Sequence, residues 1–250
     1  FFNIIVVGRK KRNPVLEKLE IVDAGAEGKS IAKYNEKIVF VTNAIPGDVV
    51  DVQVTKKRKK YNEAYPIKFH KYSDKRVVAV CDYFGICGGC KWQNMKYEDQ
   101  LFYKHKQVKD NLQRIGNIDV SNIKDIVPAE KTEYYRNKLE YTFSKKRWLT
   151  KEEIASGIEF DRAEALGFHV PKRFDKIIDI EKCYLQEEPS NEIRNKIREF
   201  TLNNNYDYYN IKKHEGYIRN LIIRNSSLGE IMVILTFNYL DEEKQNKLLA

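Results

Sequence analysis

The first third of the chain alternates apolar and polar residues in short runs that are separated by turns. Val50, Val52 and Val54 alternate with polar neighbours, which is the two-residue period of a strand with one buried face. Glycine and proline mark turns at residues 24–28 and 46–48. About five strands fit between residues 16 and 72 with no room for a long helix, so we predict a small OB-like barrel.

The pattern becomes helical, then mixed, after residue 94. Apolar spacing predicts one helix over about 95–115, with Tyr97, Leu101, Val108, Leu112 and Ile115 on one face, and a second from a Ser190 cap to about Leu202. Alternation predicts a strand at 139–143. Residues 218–224 and 231–237 resemble a hairpin, with the second strand apolar enough to be buried on both faces. We predict an α+β fold class, an N-terminal OB-like β-barrel followed by a mixed α/β domain.

Positive charge is concentrated in the part predicted to form the barrel. Residues 1–80 hold 17 Lys/Arg against 9 Asp/Glu, a surplus of +8, whereas residues 81–250 hold 28 against 27. A concentrated basic surface attracts nucleic acid, because bound phosphates release their counterions. A solvated basic face without a ligand is the alternative. The residues predicted to contact RNA are Lys56, Lys57, Arg58 and Tyr61.

The ends of the chain and its apolar runs bear on where the protein acts. No run approaches the ~20 residues of a membrane span, and the apolar opening precedes its charges, the reverse of a signal peptide. We therefore expect no membrane association and a cytoplasmic protein, where cysteines more often hold metal than form disulfides. The sequence begins without Met and ends within a helical pattern, so we also expect a fragment.

The four cysteines have a three-plus-one spacing. Cys81, Cys87 and Cys90 lie within ten residues, and 92 residues separate Cys90 from Cys183. This spacing fits a [4Fe–4S] cluster better than structural zinc, which usually takes two ligands from each of two knuckles. Zinc and unligated buried thiols remain alternatives. If all four cysteines are ligands, no nucleophile remains. The chain also lacks a glycine-rich nucleotide-binding turn, so we assign it no catalytic and no cofactor-binding residue.

At these cysteines the sequence resembles the RNA uracil-5-methyltransferase family. The resemblance begins near Lys11 and includes Gly25-Ala26-Glu27-Gly28, Ala44-Ile45-Pro46-Gly47-Asp48, Phe84 through Gln93, Tyr135-Arg136-Asn137-Lys138, Leu166-Gly167-Phe168-His169, Asp179 through Cys183, and Arg219-Asn220-Leu221. It implies a basic arm at 1–12, a TRAM domain of OB fold at 13–73, and a central domain at 74–250. The central domain would carry a [4Fe–4S] cluster on the four cysteines.

The resemblance also implies an activity. In the family a Rossmann-like domain binds S-adenosylmethionine and carries the cysteine that attacks a flipped-out uracil. We expect that domain to be missing from this chain, the fragment alone to be inactive, and the whole protein to be a methyltransferase of 23S ribosomal RNA. Ribosomal RNA is favoured because the tRNA branch generally lacks both TRAM domain and cluster. We expect a monomer. The rivals are a free-standing RNA-binding or ribosome-associated module and, more weakly, a radical or redox enzyme.

Three further residues have two interpretations. Arg136, Lys138 and Arg219 flank apolar strands, where they are either solvated charges or contacts to RNA. An arginine suits RNA, because its planar fork holds a phosphate and stacks on an unpaired base. His169 we interpret as structural rather than as a ligand.

Overall fold

The computed structural model describes residues 13–158 and 164–249, so the predicted basic arm at 1–12 lies outside the described residues. The described chain forms two compact units. The first contains residues 13–78 and 94–128, and the second contains 79–93, 129–158 and 164–249. The predicted domain boundary at residue 73 stays a prediction. Within the described residues no helix is long and apolar enough to cross a membrane.

The first unit is built on a closed five-stranded barrel, as the alternating pattern predicted. The strand order is β1-β2-β3-β5-β4. Val50, Val52 and Val54 all point into its core. The strands are β1 (Val15–Ala24), β2 (Ser30–Tyr34), β3 (Lys37–Val41), β4 (Val49–Lys57) and β5 (Tyr61–Lys71).

A buried carboxylate closes the barrel at the turn before β4. Asp48 is fully buried, and it accepts hydrogen bonds from the amides of Ile45 (2.8 Å) and Ser73 (2.9 Å). The Arg76 guanidinium donates two more, at 2.8 and 2.7 Å. Gly47 has φ +95°, and a Cβ there would lie 2.6 Å from the Ser73 hydroxyl, so only glycine fits this turn.

Helix α1 (Tyr97–Arg114) lies in the same unit. The prediction of which face of this helix is buried is wrong. Val108 and Ile115 are exposed, whereas the buried side chains of the helix are Asp99 and Tyr103. Asp99 pairs with Lys75 next to the barrel. Periodicity detects an apolar stripe and cannot detect a polar anchor, and here the anchor decides which face is buried.

The second unit contains an antiparallel five-stranded sheet in the order β10-β9-β6-β7-β8. Leu139, Tyr141 and Phe143 point into its core, and Ile193 and Phe200 of one helix pack against that core, as predicted. The elements are β6 (Lys138–Ser144), α2 (Lys151–Ala155), β7 (Ala165–His169), β8 (Ile177–Asp179), α3 (Ser190–Asn203), β9 (Ile218–Asn225), β10 (Ile231–Phe237) and α4 (Glu242–Leu249).

Two local predictions in this unit are wrong. The hairpin of β9 and β10 forms, but β10 is the edge strand, and the side chains at 231–234 are exposed instead of buried on both faces. Ser190 is the first residue of α3 and not its cap, since its hydroxyl donates to Gln186. The Glu188 carboxylate accepts the Asn191 amide (3.0 Å) instead, which suits the positive end of the helix dipole.

Candidate metal centre and nucleic-acid surfaces

The loop carrying the first three cysteines is a series of tight turns. The Cys87 amide donates to the Tyr83 carbonyl (2.8 Å). Gly85 has φ +87°, which favours glycine. Gly88 lies against β7, where its amide donates to the His169 carbonyl (3.2 Å) and a Cβ would meet that oxygen at 3.0 Å. These contacts explain why glycines lie between the cysteines.

Cys183 follows β8 and is held from both sides of its backbone. Its amide donates to the Asn191 side-chain oxygen (2.7 Å), and the Asn191 side-chain nitrogen donates to the Cys183 carbonyl (3.1 Å). Tyr83 of the cysteine loop also reaches this region, since its hydroxyl accepts the Glu181 amide (3.1 Å). The start of α3 therefore positions the sequence-distant cysteine next to the other three.

All four predicted cysteines line one cavity of about 320 Å³ in the second unit. All four are free thiols. The remaining wall is largely apolar, with Phe84, Leu139, Phe168, Ile180 and Leu185. Folding thus brings together thiols separated by up to 102 positions in the chain (183 − 81).

Burial makes three of these thiols, those of Cys81, Cys87 and Cys183, poor acids. It raises the pKa of Cys183 to about 11, and it raises the pKa of Cys81 and of Cys87 as well. Each thiolate would also repel the others electrostatically. Four thiolates are therefore stable together only around a positively charged centre.

Backbone amides point at the sulfur atoms. The Gly89 amide donates to Cys87 Sγ at 3.4 Å. The amides of Tyr83 and Phe84 bond to Cys81, and that of Leu185 bonds to Cys183. Amide bonds to sulfur are among the features that tune an iron–sulfur cluster.

The described residues contain no group of three or more His, Cys, Asp or Glu side chains placed to hold a metal ion. A single zinc ion at 2.3 Å from each sulfur requires thiolate sulfurs about 4 Å apart. All four cysteines line the same cavity, and this arrangement by itself favours neither zinc nor a cluster of several irons.

Behind this cavity lies a buried arginine that the sequence analysis missed. Arg194 of α3 is fully buried, and its three guanidinium nitrogens have no hydrogen-bond partner among the described residues. Its guanidinium lies 5.5 Å from the centre of the Tyr141 ring, and it interacts electrostatically with Asp179 and, less strongly, with Cys183. A buried cation needs an anionic neighbour.

The predicted RNA contacts lie at three separate places. Lys56 and Lys57 end β4, exposed, and Lys56 pairs with Glu63 at 3.8 Å. Arg58 is exposed in the turn, and its amide donates to the Tyr61 carbonyl (2.8 Å). The Tyr61 ring packs edge-on against Phe40.

The other predicted contacts belong to the second unit. Arg136 and Lys138 are exposed residues at the cysteine cavity, so one surface combines the four cysteines with these cations. Arg219 lines a different groove, of about 370 Å³, and its guanidinium lies 4.4 Å from the centre of the Tyr209 ring. The roles of all seven predicted RNA-binding residues stay predictions.

The groove at Arg219 is a second site that sequence reasoning missed. It lies beside the sheet, and His169 also lines it. Lys145-Lys146-Arg147-Trp148, directly after β6, combines three cations with an aromatic ring. That run was the available signal, because basic and aromatic residues together are typical of nucleic-acid contacts.

Similarity to known proteins covers both units. The TRAM domain family matches residues 18–67. The chain is 52% identical over 210 residues to an uncharacterized RNA methyltransferase of Bacteroides thetaiotaomicron, covering 84% of this chain and 46% of the relative. It is 41% identical over 238 residues to one of Porphyromonas gingivalis, covering 93% and 51%. The chain spans about half the length of these curated relatives.

A solved structure shows the same fold at lower identity. It is the Pyrococcus abyssi tRNA (uracil-54, C5)-methyltransferase in complex with S-adenosyl-L-homocysteine, with a TM-score of 0.63 and 23% identity. The match covers 92% of this chain and 48% of that protein.

These matches correct the predicted fold class in one respect. We expected this chain to be a fragment that lacks the catalytic domain. Methyltransferase relatives nevertheless match 84% and 93% of the chain, and the solved structure matches 92% of it. The expectation came from where the sequence ends, and a chain end carries no physical information about fold. The expected inactivity is likewise unsupported. The barrel and its TRAM identity are confirmed.

The TRAM match, the relatives and the shared fold all agree with the resemblance seen in the sequence. The chain is similar to RNA methyltransferases over most of its length, and its motifs resemble the RNA uracil-5-methyltransferase family.

Proposed function

We propose that this protein transfers a methyl group from S-adenosylmethionine to C5 of a uridine in RNA. The observation that carries the proposal is the 52% identity, over most of this chain, to an RNA methyltransferase. The structural neighbour is a tRNA (uracil-54, C5)-methyltransferase with S-adenosyl-L-homocysteine bound, which supports C5 as the methylated atom and S-adenosylmethionine as the methyl donor. These similarities do not favour a free-standing RNA-binding module.

Ribosomal RNA, specifically 23S, is the substrate we propose. The support is the combination of a TRAM barrel with four cysteines around one cavity. The structural neighbour acts on tRNA, so tRNA is the competing substrate and belongs in every assay. Four free thiols favour a reducing compartment, and we propose the cytoplasm.

The cysteine cavity is the proposed seat of a [4Fe–4S] cluster. Cys81, Cys87, Cys90 and Cys183 would hold it, and their apolar surroundings and the amide bonds to sulfur fit such a group. When bound, the cluster supplies a rigid centre, and its binding energy becomes folding energy. Arg194 supplies a buried positive charge beside the negatively charged thiolates.

S-adenosylmethionine has no comparable fit in the part of the chain that the structure describes. Residues 13–158 and 164–249 contain no glycine-rich turn between a strand and a helix that would receive it. We therefore derive no step of methyl transfer from these residues, and we propose roles in RNA binding and metal binding for them instead.

The activity test uses RNA transcripts carrying tritium at C5 of uridine. Methylation at C5 replaces that hydrogen, so the full-length protein with S-adenosylmethionine should release tritium from 23S ribosomal RNA. Release from tRNA alone would reassign the substrate, and release from neither would overturn the proposed function. The 250-residue chain is assayed in parallel with the same RNA substrates.

The metal test is independent of activity. Protein purified without oxygen should be brown and contain about four irons and four sulfides per chain. Stoichiometric zinc without sulfide would overturn the cluster.

A further inference from the structure

The groove beside the sheet of the second unit has the chemistry of a site for single-stranded RNA. Six cations line it: Lys145, Lys146, Arg147, Lys176, Lys212 and Arg219. Its volume of about 370 Å³ is in the range of ordinary small-ligand sites. None of the four cysteines lines it, so it is distinct from the proposed metal centre.

The charge of the groove remains positive after its ion pairs are counted. Lys212 lies 2.6 Å and Lys176 3.4 Å from the Asp175 carboxylate. Arg147 pairs with Glu153 and Lys145 with Asp207. Among the described residues, three acids pair with four of the six cations, so the cations outnumber these acids six to three. Among the described residues Lys146 and Arg219 have no carboxylate partner, which leaves them available to a phosphate.

Aromatic rings lie among these cations. Phe174 is 65% exposed although it lines the groove, and a solvent-exposed phenylalanine ring favours a stacking partner. Trp148 lies under the Lys176 ammonium, 5.6 Å from the ring centre. The Tyr209 ring contacts the Arg219 guanidinium through a cation–π interaction, which restricts the position of the guanidinium. Cations interleaved with aromatic rings bind single strands, because every base offers a face for stacking.

Polar groups at one side of the groove suit the edge of a base. Thr142 and Asn220 are paired across β6 and β9, and their side chains are 3.4 Å apart. His169 Nε2 lies 3.2 Å from the Thr142 hydroxyl. A hydroxyl, an amide and an imidazole together offer both donors and acceptors, as recognition of an unpaired base requires.

We propose that this groove binds an unpaired nucleotide of the RNA substrate, with its base stacked on Phe174 and its phosphate held by Lys146 and Arg219. The inference rests on the proposed function for the identity of the substrate. A nucleotide bound here would position the RNA strand, and we assign no chemistry to the groove.

The test measures binding of a fluorescent pentauridylate to the full-length protein by anisotropy, without methyl donor. Phe174→Ala should weaken binding about tenfold, which is the usual cost of losing one stacked base. Phe102→Ala is the matched control, because Phe102 is similarly exposed (60%) but lies on α1 in the first unit. Lys146→Ala should lower the salt slope by about 0.7, whereas Lys196→Ala, on α3, should leave it unchanged.

An oligomer of five abasic ribose phosphates separates stacking from charge. It should bind the wild type at least as weakly as pentauridylate binds to Phe174→Ala, because it lacks the contacts to the base edge as well as the stacking, and that substitution should weaken it no further. The proposal is overturned if Phe174→Ala stays within twofold of the wild type, or if Phe102→Ala costs as much. This assay measures binding and not tritium release. A failure of the proposed methyl transfer and a failure of this binding site would therefore appear in different experiments.

Discussion

The two units of the chain differ in whether a buried charged side chain has hydrogen-bond partners. In the first, the buried Asp48 carboxylate accepts four hydrogen bonds, two of them from Arg76, so every partner comes from the unit itself. In the second, Arg194 is fully buried and has no hydrogen-bond partner among the described residues. The barrel corner is electrostatically complete, whereas the cysteine region holds an unmatched cation.

This difference indicates which unit depends on a bound group. An unpaired buried charge costs several kcal/mol, so a fold retains one only where something offsets the cost. Asp179 offsets part of this cost near Arg194, and the cysteines that line the cavity would offset more of it as thiolates bound to a metal centre. The barrel should therefore fold without metal, and the second unit should depend on it.

The largest expected effect comes from removing the distant ligand. Cys183→Ser should reduce iron from about four per chain to near zero, because the remaining three cysteines cannot close the site. The thermal transition of the second unit should then fall to that of the metal-free wild type. Iron analysis and calorimetry check both outcomes. Full iron content with an unchanged transition would show that Cys183 is not a ligand.

The next effect tests whether the barrel is self-sufficient. Asp48→Ala leaves Arg76 without its partner and should lower the free energy of unfolding of the first unit by about 3–5 kcal/mol. Asp110→Ala is the matched control: Asp110 forms only surface pairs on α1, worth about 1 kcal/mol or less. Denaturant titration should give the same loss with and without iron. A loss that depends on iron would contradict the independence of the two units.

Arg194 provides the sharpest test of the comparison. Arg194→Met removes a buried charge, so it should be neutral or stabilising, by up to about 4 kcal/mol, in metal-free protein. In the iron-loaded protein it should lower the reduction potential of the cluster, because a nearby cation favours the added electron. Lys196→Met, on the surface of the same helix, should leave the potential unchanged. An unaltered reduction potential in both variants would show that Arg194 does not influence the cluster.

Patterns with a local cause were predictable from the sequence. The alternation of Val50, Val52 and Val54 gives a strand wherever one face is buried, and the glycines among the cysteines indicated a tight loop. Cys183 was predicted to join the other three cysteines because it is the fourth cysteine of the chain. Its proximity to the loop that carries Cys81, Cys87 and Cys90 was expected only if the four bind one metal centre.

Features that depend on tertiary context were not predictable. The apolar run of β10 suggested burial, but whether a strand lies at the edge depends on strand order. The polar anchor of α1 depends on Lys75, and the buried state of Arg194 depends on a helix packing over Tyr141. The groove residues come from four separate segments, so only the run from Lys145 to Trp148 was visible in the sequence.

The smallest expected effect concerns the basic turn of the barrel, which the comparison places outside the metal-dependent unit. Replacing Lys56, Lys57 and Arg58 with alanine should flatten the salt dependence of RNA binding by about two units, since each phosphate contact on a single strand contributes about 0.7. All three side chains are exposed, so stability and iron content should not change. The control removes three exposed lysines of the second unit, Lys131, Lys196 and Lys247, and should leave the slope unaltered. Filter binding of 23S ribosomal RNA at several salt concentrations, with iron-loaded and metal-free protein, gives both slopes. If the barrel binds RNA independently of metal, the change of two units appears in both preparations. An unchanged slope in the first variant would show that the barrel turn does not contact RNA, and it would favour the groove at Arg219 as the RNA-binding surface.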